Sequence, residues 1–335
     1  MKWSLLPVNE FNNYSEQWDA LNKSNSNSLL LASDFVIPLI DNFSTGKEIL
    51  AIARQNELVV AMFIITKKQT GVWESFQPSQ APISMSVYTN ELLVDTLKSL
   101  CKTLKGLTLM LGITQLDPDI SSRPESSSKL NTIDYIQTSR ISVIGSFEEY
   151  WQKRGKNLRQ NMNKQRNRLK KNGIDTKLEI ITDPDKMINA IIDYGNLESS
   201  GWKLDSGTAV NIENQQGMFY KQVMERFAHK KQASVYKYWY GNDNAAMDLC
   251  IHNAETIIIL KTTYNEEFKS SSPAMLMRQE SFEAIFENKT YQKIEFYGKV
   301  MEWHKRWTDE IRTMYHLNFY CSSLASFLYK LLRKS

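Results

Sequence analysis

Residues 256–307 read TIIILKTTYNEEFKSSSPAMLMRQESFEAIFENKTYQKIEFYGKVMEWHKRW, and this run organises the reading of the chain. Thr256 to Tyr264 is β-branched and apolar, long enough for a buried strand and too short to span a membrane. Ser270, Ser271 and Ser272 then precede Pro273, which predicts a hydroxyl N-cap with proline at the first helical position, and Ala274 to Glu287 continues in helix-forming residues. The helix N-terminus therefore faces the end of the strand. Free backbone N–H groups and the positive end of the helix dipole at that junction suit an anionic group such as a pyrophosphate. An ordinary βαβ unit with a serine-capped helix accounts for the same spacing, so the local pattern leaves both readings open.

Working outward, the chain of 335 residues exceeds the usual size of one core and predicts two domains, 1–145 and 146–335. A net charge of +4 is small for this length and does not itself call for nucleic acid. Cys101, Cys250 and Cys321 are scattered and odd in number, which points to a reducing compartment. No signal peptide or transmembrane segment is read, and the expectation is a cytoplasmic protein. The terminal residues 324–334 read as a packed amphipathic helix with a basic face.

Upstream of the opening stretch, Glu48 to Lys68 reads as a hairpin turning at Asn56. Asn90 to Leu104 has helical spacing, and Gly106 to Ile113 reads as a buried strand. Ser146 with Glu149 predicts a capping box opening one long helix, SFEEYWQKRGKNLRQNMNKQRNRLKKNG. Nine Lys or Arg residues lie between Lys153 and Lys171, over a thin apolar stripe of Trp151, Leu158, Met162 and Leu169. Two further helices, Pro184 to Ser200 and Asn214 to Lys230, lead into three strands that turn at Gly241 to Asp243 and at Asn253 to Ala254. The third is Thr256 to Tyr264, so the opening strand closes a meander. Short strands at Ile294 to Tyr297 and Met314 to Cys321 follow.

Several chemistries are set aside. His229, His252, His304 and His316 stand in no metal-ligand spacing, so no metal site is expected. A phosphate-binding loop, a glycine-rich dinucleotide turn and a G-x-S-x-G elbow are all missing from the sequence.

Three pieces in one order carry a resemblance: the basic helix ending RNRLKKNG, the stretch ESSGWK at 198–203 followed by Gly207-Thr208-Ala209, and the strand with Tyr264 leading into Ser272-Pro273. Together they resemble the CelD/BioF2-like branch of the GNAT acetyltransferase superfamily, across about half the chain. The resemblance implies an α/β (α+β) fold of tandem GNAT-like domains, each a mixed central sheet flanked by helices, related to the Fem-type transferases. It further implies an acyl-CoA-dependent N-acyltransferase, using acetyl-CoA or another acyl-CoA, with the active site in the second domain.

Carried over by residue, Thr262, Thr263 and Tyr264 would lie on a splayed strand whose backbone N–H binds the thioester carbonyl. Ser272, Pro273, Ala274 and Met275 would receive the pyrophosphate, with Ala274 standing where the family usually has glycine. Glu198, Trp202 and Lys203 would border the acceptor, with Glu198 as general base or, in the plainer reading, a surface helix cap. The family's Tyr-Lys-x-x-Trp tail, matched on Trp307, puts Trp303 and His304 at the Tyr and Lys positions, with Lys305 as a substitute cation. Tyr297 is a candidate proton donor to the leaving thiolate. The expected acceptor is an amine on a small-molecule, lipid-linked or nucleotide-linked sugar of cell-envelope or exopolysaccharide synthesis. Two alternatives stay open: a Fem-like transferase fed by aminoacyl transfer RNA, and a non-catalytic GNAT-like scaffold.

Overall fold

The computed structural model describes residues 1–199 and 214–322. The chain divides into two compact units, Met1–Gln137 with Arg312–Ser335, and Thr138–Ile311. This differs from the division at 145 expected from sequence, because the strand that begins at Ile311 pairs back into the first unit.

In the first unit the chain runs β1 (Lys2–Pro7), α1 (Ser15–Asn25), α2 (Ser33–Phe43), β2 (Ile49–Gln55), β3 (Leu58–Gln69), β4 (Gly71–Ser75), β5 (Ser86–Tyr88), α3 (Leu93–Thr103), β6 (Thr108–Leu116) and the start of β7 (Leu130–Ser142). The β2–β3 hairpin turns at Asn56 and Glu57, both at positive φ. The sheet order is β1-β2-β3-β4-β6, then the strand Ile311–Tyr320, then β7, with β5 beside β3. Leu93, Leu97 and Leu100, at the helical spacing noted above, pack with Phe63, Leu111, Leu317 and Phe319.

Cys101 on α3 is disulfide-bonded to Cys321, while Cys250 is buried and free. The step from scattered cysteines to a reducing compartment thereby loses its premise. The bond closes a loop of 220 residues, and the chain-entropy model puts its contribution at about 5 kcal/mol. Chemical denaturation with and without reductant should show a loss of that order; superimposable curves would mean the bond contributes nothing.

The second unit contains α4 (Phe147–Gln152), α5 (Lys156–Lys171), β8 (Thr176–Ile181), α6 (Pro184–Ser199), α7 (Gln215–His229), β9 (Ala233–Tyr240), β10 (Asp243–His252), β11 (Thr256–Tyr264), α8 (Pro273–Asn288), β12 (Lys293–Phe296) and α9 (Glu302–Trp307); β13 (Ile311–Tyr320) leaves it. Its sheet runs β7-β12-β11-β10-β9-β8, antiparallel except for the parallel β11–β12 pair. The expected single basic helix is two. Ser146 and Glu149 do form a capping box on α4, but the chain turns at Lys153 to Gly155 before α5. Glycine weakens a helix and here serves as the N-cap of α5. Trp151, Leu158, Met162 and Leu169 are buried as their spacing requires, against Leu276, Phe282 and Trp307. Arg166 anchors α5 to α8 through Glu280 at 2.6 Å. Among the described residues no helix is long and apolar enough to cross a membrane, and the stretch 324–334 lies outside them.

Candidate active site

The geometry of the site begins with one extra residue. Along β10 and β11 the register passes from Leu249 opposite Lys261 to Cys250 opposite Ile259, so Leu260 has no counterpart. A bulge reverses the alternation of faces, since side chains alternate with a period of two. Before it, Ile257 and Ile259 face α8; after it, Thr262 and Tyr264 do. On the other side of β11, pairing with β12 stops at Ile258 opposite Glu295. From Ile259 onward that edge of β11 is no longer paired with β12.

Directly after a 3-10 helix over Glu266–Ser271, Ser272 holds φ +56° and ψ +54° as the N-cap of α8. Serine in this left-handed region costs of order 1–3 kcal/mol, a strain that tends to persist where it serves a ligand. Its hydroxyl does not cap the helix, which corrects the sequence expectation of a hydroxyl cap. Pro273 has no N–H, while Met275 and Leu276 donate to the Ser272 carbonyl at 3.0 and 3.2 Å. Ala274 is therefore the amide left over at the positive end of a 16-residue helix.

A cleft of about 380 Å³ opens at this junction, lined by Thr262, Tyr264, Lys269, Ser272, Pro273, Ala274, Met275, Arg278 and Trp303. The fold thus gathers seven of the carried-over residues, Trp303 among them, into one cavity. Thr263 is the exception on the strand: it is buried on the opposite face. Tyr264 keeps its proton at neutral pH, because burial and the Glu266 carboxylate both push its phenol up.

Arg278 and Trp303 complete the cleft wall, with Asp248 and His304 buried behind them, and Arg278 and Asp248 escaped the sequence reading altogether. Arg278 is 3% exposed; its Nη2 donates to Thr262 Oγ1 at 2.7 Å and stands 3.8 Å from Asp248 Oδ1. The indole of Trp303 covers the guanidinium at 4.2 Å, within cation–π range. Burial pushes the Asp248 carboxyl up and the Arg278 guanidinium down, and each charge pulls the other back toward ionisation. Register alone places Asp248 opposite Thr262. The only signal in the sequence would have been a charged residue in the apolar run AAMDLC.

His304 is stacked on Trp303 at 3.5 Å, and its Nδ1 accepts the Met301 N–H at 2.9 Å. Burial first, and then Arg278, hold its pKa down to about 4. The family's lysine position is thus a neutral imidazole, and the cations at the cleft are Arg278 and Lys269. Lys305 does not replace the missing lysine: two residues on from Trp303 it projects from another side of α9, where it pairs with Glu302 at 2.8 Å. Protonating His304 favours the unfolded chain, whose histidine titrates near 6.5. Stability is therefore complete above that pH and falls as pH drops toward 4, by up to about 3 kcal/mol. Replacing His304 by Phe should flatten that acid limb in urea titrations at pH 7 and pH 4.5, whereas an unchanged limb would remove His304 as its source.

Glu198 is not a surface cap. It is 2% exposed on α6 and paired with Lys261 at 3.3 Å, so it sits on the face of β11 opposite the cleft. Tyr297 follows β12 half-buried and does not line the cleft. Trp202 and Lys203 lie outside the described residues. Among the described residues no group of His, Cys, Asp and Glu is placed to hold a metal ion.

Comparison with known proteins agrees with this geometry. Residues 156–306 match the family model of the acetyltransferase (GNAT) domain. No curated protein matches the sequence significantly. Among solved structures, FemX superposes with a TM-score of 0.59 at 9% identity, covering 99% of each chain. The C-terminal domain of a lysylphosphatidylglycerol synthetase from Agrobacterium fabrum gives 0.58 at 10% identity, covering 96% of this chain and 95% of that one. A conserved protein from Bacteroides thetaiotaomicron gives 0.57 at 11% identity, covering 92% and 97%. At these identities the likeness is one of fold. The family match spans 156–306, and the strand, helix and cleft just described lie within the matched residues.

Proposed function

We propose that the second unit transfers an acyl group, acetyl in the simplest case, from coenzyme A to an amine. The observation that carries this reading is the cleft itself, where an opened strand edge and an uncapped helix N-terminus meet beside Arg278 and Lys269. The Ala274 amide and Lys269 would hold the pyrophosphate, and the freed N–H groups of β11 would receive the oxyanion as the amine attacks the thioester carbon. A C–N bond forms, the C–S bond breaks, and the ammonium proton must leave. Glu198 is the proposed base, because its carboxylate flanks the same opened strand from the face opposite the donor. Tyr264, protonated and in the cleft, suits the role of donor to the thiolate better than Tyr297. An acceptor amine on a cell-envelope or exopolysaccharide precursor rests on the family resemblance.

Titration calorimetry with acetyl-CoA tests the reading: binding is expected below millimolar, and no heat at millimolar ligand would overturn it. Given binding, Glu198→Gln should lower kcat by roughly 100-fold with the donor Kd nearly unchanged. An equal loss in both would remove Glu198 from the base role. The exposed Lys156, Lys164, Arg168, Lys170 and Lys171 of α5 favour a second reading, in which the acyl group arrives on transfer RNA. A salt-dependent gel shift with transfer RNA, undiminished by coenzyme A, is the result that reading requires.

A further inference from the structure

A second and larger cleft lies in the same unit, away from the acyl cleft. It measures about 620 Å³ and is lined by Lys153, Arg154, Gly155, Asn157, Leu158, Asn161, Lys305, Arg306 and Asp309. Its lining cations are Lys153, Arg154, Lys305 and Arg306; Asp309 is the one carboxylate in the lining, and Lys305 also pairs with Glu302 at 2.8 Å outside it. None of these residues lines the first cleft, and the acyl-transfer reading leaves them without a role.

How the walls are held bears on what could enter. Arg154 is structural in part: its Nη1 donates to the Trp307 carbonyl at 2.8 Å and stands 3.5 Å from Asp309. Tyr150 donates to the same carbonyl at 2.7 Å, and Trp307 is fully buried beside Trp151 and Phe282. The end of α9 is therefore rigid. Lys153 and Arg306, by contrast, are exposed cations on that rigid frame, and Asn157 and Asn161 add amides that donate or accept as required. The break at Gly155 that splits the basic helix has a consequence here: it turns the start of α5 into the cleft wall, and no side chain caps that end.

We propose that this cleft binds a small molecule carrying a diphosphate group, at a site separate from the acyl donor. A cation cluster in a concavity of this size concentrates field and matches a multiply charged, compact anion, whereas a single carboxylate would leave most of the charge unmatched. The cavity volume falls in the range of small-molecule sites and has room beyond the phosphates for one sugar or nucleoside. Trp303 of the acyl cleft and Arg306 of this one are three residues apart on α9, so a ligand held here stands within one helical turn of the donor site. An acceptor with a diphosphate handle is the chemistry this spacing favours. That last step rests on the acyl-transfer reading; the binding site itself does not.

Calorimetry on the full chain with inorganic pyrophosphate and with uridine diphosphate, at low and at high salt, tests it. Both are expected to bind below millimolar, and uridine diphosphate more tightly if a nucleotide-linked molecule is the natural source. Lys153→Glu with Arg306→Glu should weaken both by more than about 30-fold, and Lys305→Gln by several-fold. Lys170→Glu with Lys171→Glu, at the far end of α5, should change neither. All the substituted side chains are exposed, and a thermal melt checks that the variants fold. The proposal falls if neither probe binds at millimolar concentration, or if the cleft variants bind as the parent does. It falls equally if coenzyme A displaces pyrophosphate competitively, which would make the cleft part of the donor site. Transfer RNA binding that is lost with Lys170→Glu and Lys171→Glu as much as with the cleft pair would overturn it in favour of a nucleic-acid surface. Loss of pyrophosphate binding with acetyl-CoA binding intact would separate this proposal from the acyl-transfer reading.

Discussion

Replacing Arg278 by Met is expected to destabilise the protein by about 3–5 kcal/mol, because it leaves the Asp248 carboxylate buried without its counter-charge. Asp248 is 2% exposed, and its Oδ1 has no hydrogen-bond partner. The same change removes the cation beneath Trp303 and the bond to Thr262. Urea denaturation reads the loss directly. Because burial already pushes the Asp248 carboxyl up, the variant's deficit should shrink as pH falls and the acid is protonated. The double variant Arg278→Met with Asp248→Leu should recover most of the stability, since no unpaired charge then remains. If the single variant loses less than about 1 kcal/mol, the pair is solvated in a way its burial does not suggest.

Placing a carboxylate at Ala274 separates fold from function at the first cleft. A glutamate in the first turn of a helix is favourable to the helix, worth a few tenths of a kcal/mol to about 1 kcal/mol through the dipole. Ala274→Glu should therefore melt at or slightly above the parent temperature. In the cleft, however, the same charge stands where the pyrophosphate is expected, beside Ser272 and Met275. Acetyl-CoA affinity should fall by roughly 100-fold, close to 3 kcal/mol. Donor binding equal to the parent's would place the pyrophosphate elsewhere. Ala274→Gly, which restores the family's residue, is expected to change affinity only a few-fold, because the Ala274 methyl already stands in the open wall of the cleft.

The cleft's parts were legible to different degrees, and the differences have physical causes. Thr262, Tyr264 and residues 272–275 are close in sequence and joined by a turn, so chain connectivity alone brings them together. Pro273 at the first helical turn is a local device and needs no partner. Arg278 lies on the same helix, four residues beyond Ala274, yet nothing in PAMLMRQ marks it as buried; its environment is made by Asp248 and Trp303, which come from elsewhere in the chain. The basic helix was legible as helix and as charge. Where it breaks was not, because the turn at Gly155 is held by Tyr150 and Arg154 reaching to Trp307, contacts across more than 150 residues.

Taken alone, the sequence determined the alternation of elements, the meander ending at Tyr264, the capped start of α4 and the position of α8, since periodicity and capping are encoded within a few residues. Tertiary structure decided which side each residue serves. The extra residue at Leu260 reverses the faces of β11 and sends Thr262 toward α8 and Lys261 toward Glu198. Pairing of β11 with β12 ends at Ile258 because β12 is only four residues long, while β11 runs on to Tyr264. The bond from Cys101 to Cys321 likewise depends on β13 lying beside β6, a register that no spacing along the chain encodes.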